Sequence, residues 1–262
     1  MTANLPRNEL ERALAVACEA ADAARAEIQP RYRRVPVETK EDGSPVTEAD
    51  RAAERVIREV IRREFPEHAI LGEEGGAEGA TDSRYRWVID PIDGTVAFTR
   101  GIPLYSTLIA LQQDGESVVG LIDLPGIEER FTGVRGGGCL CNGERVRVST
   151  ESDLRRAMIA HGDAYCFDLA GQRPLFERMA RELPVLRGYT DAFGHSRVLS
   201  GAVDAMVDLE LNLWDCAPSA LLVKEAGGEF RTRTLPDGKF GVVLGSPALV
   251  RELESWFAPE SA

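Results

Sequence analysis

The sequence predicts an α/β (α+β) fold, built as one large unit or as two small domains that share a sheet core. Its 262 residues are enough for such a fold, and a hydrophobic content of 44% is typical of a chain with a buried core. Apolar residues recur at helical spacing in some segments and form short strand-like runs in others. No internal repeat or low-complexity tract interrupts these patterns.

The chain is acidic, with a formal net charge of −12. Such a surface disfavours non-specific binding to nucleic acids and to anionic membranes. The sequence contains neither an apolar run of 18 residues nor a basic start followed by an apolar block. The five cysteines are too few and too scattered for a disulfide framework, and Cys139 and Cys141 lack a second pair for zinc. We therefore expect a cytoplasmic protein with reduced thiols.

The first two helices are predicted from capping signals and apolar spacing. We interpret Asn8–Glu11 as a capping box that begins the first helix, which should end before Pro30. Residues 33–46 are polar and contain two prolines and a glycine, which favours a loop or a short hairpin. Thr47 is predicted to cap the second helix, whose apolar face runs to Phe65.

Strands dominate the next part of the chain. Ala69–Leu71 and Arg86–Ile89 have strand-like composition, and Asp114-Gly115 marks the turn of a hairpin between two apolar runs. Glu129–Val134 should add an antiparallel strand. The organisation changes near residue 152, so we expect an N-terminal α+β half over residues 1–151 and a C-terminal α/β half over residues 152–262.

The second half should contain three strands and three helices. The strands are predicted at residues 158–161, 205–208 and 241–245, and the helices at 196–200, 214–226 and from Ser246-Pro247 onwards. Gly227-Gly228 supplies the stop of the middle helix.

Carboxylates follow or precede these elements in three short segments. Glu73 and Glu74 come directly after a strand, Asp90 and Asp93 follow another, and Asp215 lies at the start of an apolar helix. Ligands of open α/β sheets tend to lie beyond the carboxyl ends of strands, where Asp90 should emerge. Any one of these acids alone is typical of a turn or a cap. Their combination favours a functional site.

The segment from Asp90 to Thr95 predicts a metal and phosphate site. Pro91 should block further strand pairing, so that a turn brings Asp90 and Asp93 to one point, with the Ile92 carbonyl as a third oxygen donor. The N–H groups of Gly94 and Thr95 would receive a phosphate at the start of a short helix. Hard oxygen ligands beside a phosphate are the usual way in which proteins hold Mg²⁺.

These motifs resemble those of the inositol monophosphatase family. The matching strings are Gly72–Glu74, Asp90–Thr95, Trp214-Asp215, Glu225–Gly228, and Lys40-x-Asp42-x-Ser-Pro-Val-Thr47-x-Ala-Asp50. The resemblance covers about residues 9–257. It implies a layered α-β-α-β-α sandwich of the inositol monophosphatase/fructose-1,6-bisphosphatase type, a homodimer, and a phosphoric monoester hydrolase acting on a small-molecule phosphate ester.

The resemblance also implies roles for individual residues. Mg²⁺, as two or three ions that Mn²⁺ could replace, would be held by Glu73, Asp90, Asp93, Asp215 and the Ile92 carbonyl. Asp93, Gly94 and Thr95 would bind the phosphate. Asp50, Thr95 and Glu73 would be catalytic, with Thr95 and Asp50 orienting and deprotonating the attacking water. Lys40 would lie on a mobile loop over the site. The N-terminal half would thus bind metal and phosphate, and the C-terminal half would select the substrate.

The substrate is predicted from the second half. Asp191–His195 resembles in part the string of the histidinol-phosphatase branch of the family. Histidinol phosphate carries an ammonium and an imidazole, which Asp191 and Asp208 could bind by charge-assisted hydrogen bonds, together with Asp215. The resemblance to this branch would imply a role in histidine biosynthesis.

Alternatives remain for the substrate and for single residues. Asp208 would also accept a hydroxyl, as in an inositol-1-monophosphatase or a broad sugar phosphatase. Asp191 could be a turn or cap residue, and His195 is more often a surface or packing histidine. Val96 stands where the family has a polar residue, which weakens the transfer of substrate identity. A partner-binding scaffold with little activity is a further alternative, although it should have lost carboxylates that this chain keeps.

Overall fold

A computed structural model of the protein describes residues 5–40, 43, 45–80, 82–235 and 238–257. The first half of the chain forms a first series of helices and strands. They are α1 (Arg7–Ile28), β1 (Val37–Thr39), β2 (Pro45–Thr47), α2 (Glu48–Glu64), β3 (Ala69–Gly72), β4 (Gly76–Glu78), β5 (Tyr85–Asp93), α3 (Thr95–Arg100), β6 (Ser106–Gln113), β7 (Glu116–Leu124), β8 (Glu129–Val134), β9 (Gly138–Cys141) and β10 (Glu144–Val146).

The second half continues with further strands and helices. They are β11 (Met158–His161), α4 (Ala164–Leu169), α5 (Arg173–Glu182), β12 (Val185–Gly188), α6 (Asp191–Leu199), β13 (Ala205–Leu211), α7 (Leu213–Glu225), β14 (Glu229–Thr234), β15 (Phe240–Gly245) and α8 (Pro247–Glu254). No helix among the described residues is both long and apolar enough to cross a membrane.

Two main sheets carry the fold. The first has eight strands in the order β10-β9-β8-β7-β6-β5-β3-β4, all antiparallel except for the pair β3 and β5. The second has five strands in the order β12-β11-β13-β15-β14, with parallel pairing from β12 to β13 and antiparallel pairing beyond. The strands β1 and β2 form a separate antiparallel hairpin.

Helices cover the faces of both sheets. On one side of the first sheet, α1 and α2 pack against β5, β6 and β7 around a core that includes Trp87 and Ile109. Between the sheets, α6 and α7 contact both of them, and a second core there includes Phe131 and Leu222. On the far side of the second sheet, α4 contacts β13 and α8 contacts β14 and β15. The predicted α-β-α-β-α layering is therefore confirmed.

Most predicted elements of the first half are confirmed, including the end of the first helix before Pro30 and the hairpin at Asp114-Gly115. Thr47 does cap α2, because its hydroxyl accepts a hydrogen bond from the amide of Ala49 while Asp50 closes the capping box. The hairpin β1–β2 confirms the alternative given for residues 33–46. Asp42 and Ser44 of the family motif lie outside the described residues.

The second half also contains α4, α5, β12 and β14, which the sequence did not predict. Three of the predictions that were made are wrong. The first helix begins at Arg7 after Pro6, without a side-chain cap, so Asn8 is already helical. Pro91 does not end its strand, since β5 continues to Asp93. The helix predicted at residues 196–200 begins five residues earlier, at Asp191. In the second case, pairing with β6 outweighs the signal of the proline, and in the third the first turn of α6 is bonded to Asp93 on β5.

Gly120 permits the close approach of α7 to the first sheet, and its replacement by alanine should destabilise the protein. A β-carbon there would lie 3.0 Å from the Pro218 carbonyl oxygen and 3.2 Å from Leu222 Cγ. We expect Gly120→Ala to lower the free energy of unfolding by about 1–3 kcal/mol, because the backbone of a packed helix cannot give way. Urea unfolding measures this, with Ala77→Val on the exposed strand β4 as the control, expected to stay within about 0.5 kcal/mol of wild type. Equal effects of both substitutions would contradict the prediction.

Candidate active site

A cavity of about 460 Å³ takes side chains from both halves of the chain. Its described wall contains eight carboxylates and two lysines, namely Glu73, Asp90, Asp93, Asp163, Asp191, Asp208, Glu210 and Asp215 with Lys40 and Lys239. So many acids in one cavity repel each other and would repel a phosphate unless cations join them.

A register irregularity in β5 brings Asp90 and Asp93 to this cavity. In a regular strand, residues three apart point to opposite faces of the sheet. Here Asp90 pairs with Leu108 and Asp93 with Ser106, and the pairing shifts between these two positions. Such an irregularity re-aims side chains, as β-bulges beside active sites do. The sequence predicted the convergence of the two acids correctly but attributed it to a turn after Asp90.

Asp90 is one of the most deeply buried acids of the cavity. It is buried, and burial together with the charges of Glu73, Asp93 and Asp215 raises its pKa well above the ordinary value. Its Oδ1 atom is buried without a hydrogen-bond partner among the described residues. A buried oxygen of this kind is costly unless something satisfies it. A divalent cation at this point would do so.

Asp93 connects the two halves of the chain. Its Oδ2 atom accepts a hydrogen bond from the Ser106 hydroxyl at 2.7 Å and one from the amide of Ala192, the second residue of α6, at 2.9 Å. Burial, followed by the charge of Asp191, raises the pKa of Asp93 well above its ordinary range. The two hydrogen bonds fix the carboxylate of a residue that lines the cavity.

Glu73 follows β3 in a turn that a buried ion pair supports. Glu54 on α2 accepts hydrogen bonds from the amides of Glu74 and Gly75, at 2.7 and 2.8 Å, and from Arg58 Nε at 2.7 Å. A β-carbon at Gly72 would lie 2.4 Å from Glu54 Oε1. The glycine is therefore required by this close approach, which sets the place of Glu73.

Asp215 enters the cavity from the first turn of α7. The amide of Asn212 donates to Asp215 Oδ2 at 2.6 Å, and the two residues form a capping box. Burial raises the pKa of Asp215 to about 7, although the bond from Asn212 opposes this. A cap that the local sequence favours thus also delivers a carboxylate from the second half to those of the first.

Lys40 already supplies one cation to the cluster. Its ammonium lies 2.7 Å from Glu73 Oε1 and 2.6 Å from Glu74 Oε1. Burial alone would lower the pKa of Lys40, but the bonds to the two glutamates raise it overall. The lysine is therefore charged and pairs with one of the predicted metal ligands.

Asp50 and Thr95 lie together beside the carboxylates that are predicted to bind metal. Asp50 Oδ2 accepts from the amide and the hydroxyl of Thr47 at 2.7 and 2.6 Å. The Thr95 hydroxyl lies 2.9 Å from the Ile92 carbonyl oxygen and 3.4 Å from Asp50 Oδ1. Burial raises the pKa of Asp50. The pair predicted from the family motif is thus assembled in the structure.

The oxygen atoms of the site suit a hard divalent cation, although they are not arranged to coordinate one in this conformation. Within the described part of the chain, no three Asp, Glu, His or Cys side chains lie close enough together to hold a metal ion. The unpartnered Asp90 oxygen, the crowded carboxylates and the nearby Ile92 carbonyl nonetheless offer the oxygen chemistry that Mg²⁺ requires.

Asp191 and Asp208, which are predicted to contact the substrate, line the same cavity. Asp191 is the first residue of α6 and has a φ of 59°. The Thr190 hydroxyl donates a hydrogen bond to Asp191 Oδ2 at 2.8 Å. Asp208 is buried on β13, and His195 is buried on α6. Val96, which departs from the family pattern, is 61% exposed at the same cavity.

Sequence reasoning missed the residues that position the acids. Glu54, Arg58 and Ser106 form no motif with the carboxylates they support, and each lies far from them along the chain. The one available signal is the Glu54–Arg58 pair, whose i,i+4 spacing lies within the predicted second helix.

Comparison with known proteins identifies the family. The model of the inositol monophosphatase family matches residues 9–254. A histidinol-phosphatase of Streptomyces coelicolor is 40% identical over 239 residues, covering 87% of this chain and 88% of the relative. A histidinol-phosphatase of Chlorobaculum parvum is 37% identical over 226 residues, covering 84% and 86%. The solved inositol monophosphatase of Zymomonas mobilis superposes with a TM-score of 0.82 at 32% identity, covering 94% and 97%.

Fold and site together define a phosphoric monoester hydrolase. The chain belongs to the inositol monophosphatase family, whose members are generally Mg²⁺-dependent. Relatives with other names also occur, among them an inositol-1-monophosphatase of Rhizobium meliloti, 36% identical over 70% of both chains, and the Nus factor SuhB of Pseudomonas aeruginosa, 37% identical over 74% of both.

The buried acids predict how stability depends on pH. The pKa of Asp215 is raised from 3.8 to about 7 and that of Asp191 from 3.8 to about 6, mainly by burial. The folded chain without a bound cation therefore holds protons that the unfolded chain has released, so its free energy of unfolding falls as the pH rises between about 4 and 7. We expect the Tm in chelator to fall from pH 5 to pH 8, and Mg²⁺ to raise the Tm more at pH 8.

Scanning calorimetry with chelator or with saturating MgCl₂ measures both effects. Asp215→Asn in chelator is the comparison variant, and its Tm should depend less on pH than that of wild type. A Mg²⁺-induced shift that is larger at pH 5 than at pH 8 would contradict this account of the cluster.

Proposed function

We propose that this protein is a Mg²⁺-dependent phosphatase that hydrolyses L-histidinol phosphate to L-histidinol and phosphate. The observation on which this rests is the single cavity that joins an oxygen-rich cluster, suited to a divalent cation, to a second acidic wall, suited to a cationic alcohol. The names of two relatives, 37% and 40% identical, also support it.

Glu73, Asp90, Asp93, Asp215 and the Ile92 carbonyl are proposed to hold two or three Mg²⁺ ions, which Mn²⁺ could replace. When bound, such ions supply a water of lowered pKa and neutralise charge on the phosphate and on the leaving oxygen. The protein's part is to keep the carboxylate oxygens in place, as the bonds from Ser106, Ala192 and Asn212 do.

Thr95, Asp50 and Glu73 are proposed as the catalytic residues. The Thr95 hydroxyl, which lies 3.4 Å from Asp50, would orient the attacking water. Asp50 would take up the proton that this water loses. The raised pKa of Asp50 makes it a stronger proton acceptor than an exposed aspartate. Asp93, Gly94 and Thr95 are proposed to hold the phosphate, since Gly94 adopts a φ of 78° that lets the backbone turn towards the cavity.

Asp191, Asp208 and Asp215 are proposed to bind the alcohol part of the substrate. Histidinol offers an ammonium and an imidazole, and charge-assisted hydrogen bonds to carboxylates are strong in a low-dielectric site. Inositol 1-phosphate and other sugar phosphates are the second candidate, because Asp208 can also accept from a hydroxyl. The relatives named as inositol-1-monophosphatases favour this alternative.

Three further features belong to this proposal. Residues 1–151 would bind metal and phosphate, and residues 152–262 would select the alcohol. The chain would act as a cytoplasmic homodimer in histidine biosynthesis. Lys40 would move with the loop that covers the site. The relatives named Nus factor SuhB leave a partner-binding role as the candidate from another class.

Asp90→Asn should abolish most of the activity. The substitution leaves the size of the side chain unchanged but removes the charge that holds a cation, so we expect kcat/KM to fall by more than about 10²-fold, beyond the loss typical of residues that only support metal ligands. Phosphate release with Mg²⁺, and again after chelation, measures this. Asp22→Asn, at an exposed position on α1, is the matched control. A mutant as fast as wild type would exclude this role for Asp90, and absence of any hydrolysis by wild type would favour the scaffold.

Parallel assays on histidinol phosphate and inositol 1-phosphate should separate the two substrate candidates. One or two charge-assisted hydrogen bonds to the cationic groups should make kcat/KM for histidinol phosphate roughly tenfold higher or more. Equal values, or a preference for inositol 1-phosphate, would exclude histidinol phosphate as the principal substrate.

A further inference from the structure

His195 is the one histidine in the described wall of the cavity. It is 1% exposed and belongs to α6, the helix that begins with Asp191. Neither the metal cluster nor the pair of Asp50 and Thr95 uses it. A polar side chain so deeply buried requires partners for both ring nitrogens.

One ring nitrogen is fixed from the neighbouring helix. His195 Nδ1 lies 2.9 Å from the hydroxyl of Ser219, which is fully buried on α7, one turn after Asp215. This hydrogen bond sets the plane of the imidazole ring. It also links the helix that carries Asp191 to the helix that carries a metal-ligand candidate.

The other ring nitrogen has no such partner. His195 Nε2 lies 3.3 Å from Asp208 Oδ2, yet the two atoms are not aligned as a hydrogen bond. Both are buried, and neither has a hydrogen-bond partner among the described residues. Two facing polar atoms left in this state cost free energy, and a group in the cavity that bonds to both would recover it.

The chemistry of this pair points to a nitrogen-bearing group. Asp208 can only accept hydrogen bonds when it is ionised, and Nε2 accepts as well when Nδ1 donates to Ser219. In that tautomer, Nε2 and Asp208 Oδ2 are two acceptors side by side, which suit a donor with at least two N–H bonds. Asp163 and Asp191 line the same cavity, so a cationic donor is favoured over a neutral one.

We propose that His195 is a specificity-determining residue, which together with Asp208 binds an ammonium group of the alcohol part of the substrate. Ser219 positions the imidazole for this contact. The inference rests on the proposed function, because it concerns the alcohol end of the same cavity. It adds a residue that the sequence favoured only as a surface or packing histidine.

Two substitutions separate the two ring nitrogens. His195→Asn keeps an amide near the Nδ1 position, which can still bond Ser219, and removes Nε2. His195→Gln reaches the Nε2 position instead. We expect His195→Asn to raise KM for histidinol phosphate by about tenfold, the loss of one hydrogen bond to a charged group, with kcat changed less than about threefold. His195→Gln should recover part of this loss.

A substrate without nitrogen gives the internal comparison. KM for glycerol 2-phosphate should change much less in His195→Asn than KM for histidinol phosphate. His161→Asn is the matched control, because His161 lies on β11 and is not among the described residues that line the cavity. Direct binding of L-histidinol, measured by calorimetry in chelator, should weaken in His195→Asn by the same factor as KM rises.

Each outcome decides the proposal. Equal losses for both esters would assign His195 a merely structural role and overturn it, as would unchanged KM values. If His195→Asn does not fold, Ser219→Ala takes its place, and a KM for histidinol phosphate that stays at the wild-type value would overturn the proposal. If the wild type prefers inositol 1-phosphate, both the proposed substrate and the proposed subsite are excluded. If the wild type prefers histidinol phosphate but His195→Asn does not change KM for that ester selectively, only the subsite is excluded.

Discussion

The structure depends on the burial of several like charges at one place. Asp90 lies in the low-dielectric interior with Glu73, Asp93 and Asp215 close enough to raise its pKa. Carboxylates so arranged repel each other unless protons, hydrogen-bond donors or cations oppose the repulsion. The surrounding elements supply such groups, among them the amides of Ala192 and Asn212, a hydroxyl and an ammonium.

These supports come from both sheets and from the helices between them. The Asp93 carboxylate belongs to β5 but accepts a hydrogen bond from the first turn of α6, and His195 further along α6 is bonded to Ser219 on α7. The proposed metal ligands and the proposed alcohol-binding residues are therefore linked through α6 and α7. A change in the packing of α6 or α7 would therefore move the carboxylates, even if the altered residue does not contact them.

Local patterns were sufficient to predict most helices and strands and the principal acids. The apolar run before Asp90, the cap at Thr47 and the helix after Trp214 all agree with the structure, because in each the local preference and the tertiary contacts coincide. The layered fold and the family followed from motifs that span nearly the whole chain, and the family match confirms them. Most of the local preferences of the sequence are therefore retained in the fold.

The remainder depends on contacts between distant residues. Glu54 supports the turn after β3 from 20 residues away, and nothing in its own segment indicates this. Pro91 predicted the end of a strand, yet pairing with β6 continues beyond it through a shift in register. From the sequence alone, His195 has the character of a packing residue. Its contacts with Ser219 on α7 and Asp208 on β13 exist only in the folded chain. Such features arise only when the chain is assembled.

Lys40 has a consequence for the folded state of the chain. Its ammonium, held by Glu73 and Glu74, gives the acidic cluster a counter-ion that is part of the polypeptide itself. Because this counter-ion is part of the chain, it partly offsets the repulsion between the acids in the folded state, whether or not an external cation is bound.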